Sequence, residues 1–303
     1  MSKYKNIIFR TDSSSDIGIG HIMRDLVLAS KYKNSNIIFA TQDLDGNINY
    51  KIKEAGYKLN SLKSNSKKEL VKLIKELNID FLVIDHYRIS YKKEKYIKEK
   101  TNVKILSFDD TYEKHYCDIL LNHNIGAKQK KYKTLVPSTC KIKCGSKYTL
   151  IRDEFYEEKN KNYKKSNNIH VFLAMGGSDY SNINISILKV LKKFKNLKIN
   201  VVTTKANKNL DKLQKYVKNK NWIFLHVDTQ QIAKLMKTSN FAIITPSVIL
   251  NEVYFMKIPF IAIQTVKNQK DIYKYLKNKK FLVIKKFNYN KLKNKLKILI
   301  GNK

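Results

Sequence analysis

His21 is the residue in this chain best placed to move a proton. It closes the run Gly18-Ile19-Gly20-His21, which follows an apolar stretch ending at Phe9 and precedes Ile22, Leu26 and Ala29 at helical spacing. A glycine loop between a strand and a helix delivers a side chain to the carboxyl edge of a sheet, where open α/β sheets bind ligands. A neutral imidazole held there accepts a proton from water, the task of a general base. A histidine that merely caps a tight turn has the same local sequence, so the loop alone leaves both readings open. Met23 occupies the third glycine place of a dinucleotide fingerprint, which speaks against a nicotinamide or flavin cofactor. Within the same loop, Asp12 either fixes the backbone or meets a hydroxyl of the substrate.

Other strand ends carry further candidates. Asp85-His86-Tyr87 follows the apolar run Phe81 to Ile84, and Asp109-Asp110 follows Val103 to Phe108. Aspartates in such places often only bond the next turn, whereas Tyr87 presents a hydroxyl just past a strand expected to neighbour the first. In the second half, Met175-Gly176-Gly177-Ser178 brings adjacent amides and a hydroxyl to a helix start, a combination that suits an anion. Pro246-Ser247 opens another helix, with Asn251 and Glu252 one turn in. The Glu252 carboxylate there accepts from the vicinal hydroxyls of a ribose, or simply complements the helix dipole. Asn268-Gln269 follow a strand that ends near Gln264.

The elements that must position these residues alternate along the whole chain. Short apolar runs (Ile7 to Phe9, Ile37 to Ala40, Phe81 to Ile84, Val103 to Phe108, Ile119 to Leu121) are separated by amphipathic stretches such as Leu70, Leu73, Ile74 and Leu77. That pattern predicts parallel strands with crossover helices. The segment 157–168 is nearly devoid of apolar residues and reads as a linker. Beyond it the alternation restarts with Ile169 to Ala174, Ile199 to Thr203, Trp222 to Leu225, Phe241 to Ile244, Pro259 to Ile263 and Phe281 to Ile284. Two domains are therefore expected, 1–156 and 169–303. Leu292, Leu296, Leu299 and Ile300 form one face of a closing helix that suits either.

Composition narrows the partners. The net charge of +36 points towards polyanions, yet only Arg10, Arg24, Arg88 and Arg152 are arginines among 61 basic residues. The planar fork that reads base edges is nearly absent, and the lysines are spread along the chain, so no specific nucleic-acid partner is expected. Cys117, Cys140 and Cys144 are an odd set without a secretory signal, and are read as buried thiols rather than disulfides or a zinc site. His115 and His123 read as ordinary surface or packing histidines. No apolar run approaches the ~20 residues needed to span a bilayer, so a cytoplasmic protein without a membrane partner is expected.

The ordered set of motifs is more specific than any single one. It comprises Phe9 to Ser15 with Gly20 to Ala29, Ile84-Asp85-His86-Tyr87, Lys104 to Asp110, Cys117 to Asn122, Leu150 to Tyr156, Met175 to Asp179, Ile232 to Met236, Asn251-Glu252 and Lys267-Asn268-Gln269. Taken together the chain resembles the UDP-sugar hydrolases of the pseudaminic acid pathway, which remove UDP from a 2,4-diacetamido-2,4,6-trideoxyhexose of altropyranose form. The resemblance implies an α/β fold of GT-B type, two Rossmann-like domains facing a cleft, with UDP held mainly by the second. It implies a histidine base at His21 and a tyrosine near the sugar at Tyr87, to which the reading of the loop adds Asp12. The expected substrate contacts are Gly20, Arg24, Gly176, Gly177, Ser178, Ser247, Asn251, Glu252, Asn268 and Gln269. No metal or other cofactor is expected, and the protein is expected to act as a monomer on a small UDP-sugar. The alternative is a glycosyltransferase that uses the same donor site and passes the sugar to an acceptor.

Overall fold

A computed structural model describes residues 4–164 and 166–301, which divide into two compact units, one ending at Leu150 and one beginning at Ile151. The first unit contains strands β1 (Asn6–Thr11), β2 (Asn36–Thr41), β3 (Lys58–Ser61), β4 (Phe81–Asp85), β5 (Lys104–Phe108), β6 (Ile119–Asn122) and β7 (Lys141–Cys144). Helices α1 (Gly20–Ala29), α2 (Asn49–Glu54), α3 (Lys67–Glu76) and α4 (Tyr91–Thr101) connect the first five. All seven strands are parallel, in the order β3-β2-β1-β4-β5-β6-β7.

Strand alternation divides the core between the two faces of this sheet. Ile8, Ile38, Leu82 and Ile84 pack with Leu70, Leu73 and Ile74 of α3 and Ile97 of α4. Ile7, Phe9, Phe39, Phe81 and Val83 pack with Ile22 and Leu28 of α1 and Ile52 of α2. The direction of winding reverses between β1 and β4, which opens a crevice at their carboxyl ends.

The second unit begins with α5 (Asp153–Lys159) and contains β8 (Ile169–Ala174), α6 (Asn184–Leu191), β9 (Leu197–Thr203), α7 (Leu210–Val217), β10 (Ile223–Val227) and α8 (Ile232–Lys237). It continues with β11 (Phe241–Ile244), α9 (Val248–Phe255), β12 (Phe260–Ile263), α10 (Lys270–Asn278), β13 (Leu282–Ile284) and α11 (Tyr289–Gly301). The six strands are again parallel, ordered β10-β9-β8-β11-β12-β13, with the reversal between β8 and β11. Leu292 and Leu296 of α11 join Ile187, Leu188 and Leu191 of α6 in the core of this unit, which settles where the closing helix packs.

The division falls earlier than the expected linker at 157–168. Residues through Tyr156 were expected in the first domain, but α5 packs on α8, and the Lys237 ammonium donates to the Lys159 carbonyl at 2.6 Å. The polar stretch that follows α5 thus lies within the second unit. No helix among the described residues is long and apolar enough to cross a membrane.

Candidate active site

The loop after β1 is built by its own serines. Ser14 Oγ accepts from the amides of Asp16 and Ile17 at 3.2 and 2.9 Å, and the Gly18 amide closes the turn on the Ser14 carbonyl at 2.8 Å. Gly18 takes φ +85°, a conformation costly for any side-chain-bearing residue. Ser13 Oγ accepts from the Ile48 amide at 3.0 Å, and the Ser15 amide donates to the Asp45 carbonyl at 2.9 Å, tying the loop to the one after β2. Gly20 then starts α1, and His21 enters its first turn.

The parallel register sets Thr11 beside Asp85, so the end of β4 meets the imidazole. His21 Nδ1–H donates to Asp85 Oδ1 at 2.6 Å, since a carboxylate can only accept. This fixes the tautomer and leaves the lone pair on Nε2. Nε2 makes no hydrogen bond among the described residues and, unlike both ring nitrogens of His123, is not sealed from solvent. Arg24 forks onto the same carboxylate, Nε to Oδ2 and Nη2 to Oδ1, each at 2.5 Å. Burial raises the Asp85 carboxyl, but the Arg24 charge and then His21 outweigh it and hold the group far below the carboxylate range.

Tyr87 lies next to this pair. Its ring meets the His21 ring edge-on with centroids 5.0 Å apart, and half of its surface is exposed. The phenol donates to Asp110 Oδ1 at 2.9 Å, and Arg24 Nη1 approaches the other oxygen of Asp110 at 3.5 Å. His21, Tyr87, Arg24, Asp85 and Asp110 therefore form one connected cluster, drawn from α1 and from the ends of β4 and β5.

Two expected site residues already have partners within the protein. Arg24, expected to touch substrate, is 5% exposed and pairs with Asp85 and Asp110. Asp12 is 1% exposed and already engaged on both oxygens. It takes a fork from Arg10 at 2.7 and 2.8 Å, the Gln42 amide at 2.7 Å and His86 Nε2–H at 2.9 Å. Burial opposes its charge, but the His86 and Arg10 hydrogen bonds prevail and keep its carboxyl well below the usual range. Of the two roles open to Asp12, fixing the loop is the one these contacts support. His86 accepts the Arg88 amide on Nδ1 at 3.0 Å, and so ties the loop after β4 to the one after β1.

Sequence reasoning passed over several members. Asp85 was one of two strand-end aspartates with a turn-forming alternative, and only its place on the strand beside β1 separates it from Asp109. Asp109 does form the turn, accepting the amides of Thr111 and Tyr112 at 3.0 and 2.7 Å. Asp25, one helical turn beyond His21, is fully buried with neither oxygen hydrogen-bonded, and burial and the Asp85 charge push its carboxyl well up. His123 is equally enclosed, and burial, with Arg24 nearby, lowers it to about 3. It packs edge-on against Phe108 as a neutral ring.

In the second unit the loop after β8 turns at Gly176, where φ is +89°. The Gly177 carbonyl is pinned by the hydroxyls of Thr203 and Thr204 at 3.1 and 3.0 Å. The amides of Gly176, Gly177 and Ser178 donate to no group among the described residues, which leaves three N–H groups for an anion. Asp179 is buried, which raises its carboxyl to about 6. It closes the loop through Asn184 Nδ2 at 2.8 Å.

Across the switch point, Ser247 precedes α9 without using its hydroxyl as a cap. Asn251 is 1% exposed with neither amide atom paired, and Glu252 takes a fork from Arg152 at 2.7 and 3.0 Å. Gln269 turns its carbonyl inward to the amide of Thr265 at 2.8 Å, and Asn268 is exposed beside it. The structure thus gathers Gly176, Gly177, Ser178, Ser247, Asn251 and Glu252 around one switch point, and gives Gln269 a role in holding its own turn.

No family model matches the chain. Over 281 residues it is 46% identical to the UDP-2,4-diacetamido-2,4,6-trideoxy-β-L-altropyranose hydrolase of Campylobacter jejuni, an alignment that covers 93% of this chain and 99% of that protein. An uncharacterized protein of Methanocaldococcus jannaschii, MJ1062, is 31% identical over 282 residues, 88% of this chain and 57% of its own length. Among solved structures, MurG of Acinetobacter baumannii superposes with a TM-score of 0.62 at 11% identity, covering 98% of this chain and 91% of that one. At that identity the likeness shows the fold alone, that of the GT-B glycosyltransferases.

Proposed function

The chain belongs to the family of the UDP-2,4-diacetamido-2,4,6-trideoxy-β-L-altropyranose hydrolases, and from that premise we propose that it cleaves this UDP-sugar to UDP and the free sugar. Water attacks the anomeric carbon in line with the departing UDP oxygen, the C1–O bond breaks, and the configuration inverts. The single observation that carries the chemistry is the His21–Asp85 contact at 2.6 Å, which leaves the Nε2 lone pair unengaged by the protein. That nitrogen takes the proton of the attacking water while Asp85 steadies the imidazolium that forms. Tyr87, edge-on to the ring, positions water or sugar.

UDP is a good leaving group, so neutralising its diphosphate matters more than protonating it. The free amides of the Gly176–Ser178 loop and the start of α9 are assigned that neutralisation, and Ser247, Asn251, Glu252 and Asn268 are assigned the contacts to the nucleoside. No metal step enters the scheme. The enzyme is read as a cytoplasmic monomer acting on a small molecule.

Hydrolysis in ¹⁸O-water tests the reaction directly, because attack at carbon places label in the sugar. Label in UDP would mean attack at phosphorus and would sink the scheme. Equimolar UDP and sugar without any acceptor separates it from a glycosyltransferase. His21→Ala is expected to lower kcat by ~10²–10⁴, the worth of a general base, with UDP affinity largely retained.

A further inference from the structure

Two thiols of the first unit face each other. Cys117 Sγ and Cys140 Sγ lie 3.7 Å apart, just before the amino ends of β6 and β7, whose register pairs Ile119 with Lys141. Cys117 is buried and Cys140 is half-buried, so Cys140 is the nearer of the two to solvent. The two differ in exposure, and the more exposed Cys140 suits an attacking thiolate, with the buried Cys117 beside it to resolve the product. Cys144 cannot take part, since it stands four residues along β7, ~13 Å away at the rise of an extended strand.

We propose that Cys117 and Cys140 form a redox pair that hydroperoxides convert to an intramolecular disulfide, a modification site apart from the carboxyl-edge cluster. The Cys140 thiolate attacks one peroxide oxygen, the O–O bond breaks, and hydroxide or alkoxide leaves, giving a sulfenic acid at Cys140. The Cys117 sulfur then attacks the sulfenic sulfur, the S–O bond breaks, and water departs with the Cys117 proton. Two electrons pass from the thiols to the peroxide, and a dithiol reductant reverses the change. The bond spans a sequence separation of 23 and restricts the unfolded chain, so the oxidised protein is the more stable form. Both sulfurs sit at strand starts, at the edge of the sheet opposite His21, and turnover is unaffected.

The test treats the full-length protein with hydrogen peroxide, blocks remaining thiols with iodoacetamide and maps the peptides by mass. The expected result is one linked Cys117–Cys140 peptide, a single alkylated cysteine at Cys144, a raised Tm, unchanged kcat, and full reversal by dithiothreitol. In Cys117→Ser the reaction stops at a Cys140 sulfenic acid that dimedone traps. Three free thiols after treatment, a link that includes Cys144, or Cys140 oxidised to sulfinic acid without a cross-link would each overturn the proposal.

Discussion

At the scale of single residues, Asp85 answers to two donors at once, the His21 Nδ1–H and the Arg24 fork. An amide in its place keeps one acceptor but turns a donor towards one of them. Arg24 cannot give up its protons, so the imidazole adjusts, taking the tautomer with its proton on Nε2 and losing the lone pair there. Asp85→Asn is therefore expected to lower kcat by ~10²–10⁴, as a wrong-tautomer histidine does, with UDP affinity little changed. Steady-state kinetics with calorimetric titration of UDP checks this, and a kcat within about threefold of wild type would remove Asp85 from the mechanism. The contrast with Asp109 shows why this residue was only half legible. Both follow apolar runs, and residue type alone does not say which aspartate bonds its own turn; the answer depends on strand order, which places β4 and not β5 beside β1. The pairing of Arg24 was hidden for a related reason. A long side chain one turn past His21 reaches outwards or folds back, and the buried Asp85 decides.

Elements were legible where both faces of a strand are buried. The inner strands of each sheet read as continuous apolar runs, because helices cover both sides. The strands that escaped notice are β3, Lys-Leu-Asn-Ser, and β7, Lys-Ile-Lys-Cys, the two edges of the first sheet. An edge strand is half exposed and carries charge against stray pairing, so its pattern sinks into that of a loop. Beside β5 a second arrangement was also hidden, bracing α4 against the loop that follows the strand. Glu94 of α4, fully buried, accepts from His115 Nδ1 at 2.8 Å, from the Ser107 hydroxyl at 2.7 Å and from the Tyr116 amide at 2.6 Å. Burial disfavours the His115 charge, but the Asp109 and Glu94 carboxylates prevail and raise the ring to about 10. A histidine raised above its unfolded value, near ~6.5, contributes stability that is complete below that pH and is lost as pH climbs through the folded value. Thermal melts at pH 6 and pH 9.5 should show a fall in Tm that is larger in wild type than in His115→Gln. Equal falls in the two proteins would place the pH dependence elsewhere.

At the scale of the molecule, the position of the boundary and the use of charge have a common origin in the arginines. Arg152 opens α5 and forks onto Glu252 of α9, an attachment that keeps α5 with the second unit although the sequence after it looks like a linker. Arg10 and Arg24 are likewise interior, each forked onto one aspartate, and Arg88 alone is exposed. The surface charge behind the net +36 is thus almost wholly lysine, a flexible point charge without the bidentate geometry that reads a base edge. Such a surface is expected to attract polyanions through counterion release without preferring one. Duplex DNA is accordingly expected to bind at low salt and to lose ~10³-fold or more in affinity between 50 and 200 mM, the loss typical of a protein neutralising several phosphates. Two duplexes of unrelated sequence should bind alike throughout. On the proposed reading, in which oriented amides and not the lysine field hold UDP, UDP should keep a saturable one-to-one isotherm over the same range. Fluorescence anisotropy of both duplexes beside calorimetry of UDP makes the comparison. A preference above about tenfold for one duplex at 150 mM would show that the lysines are arranged to recognise something, and that the charge has a partner of its own.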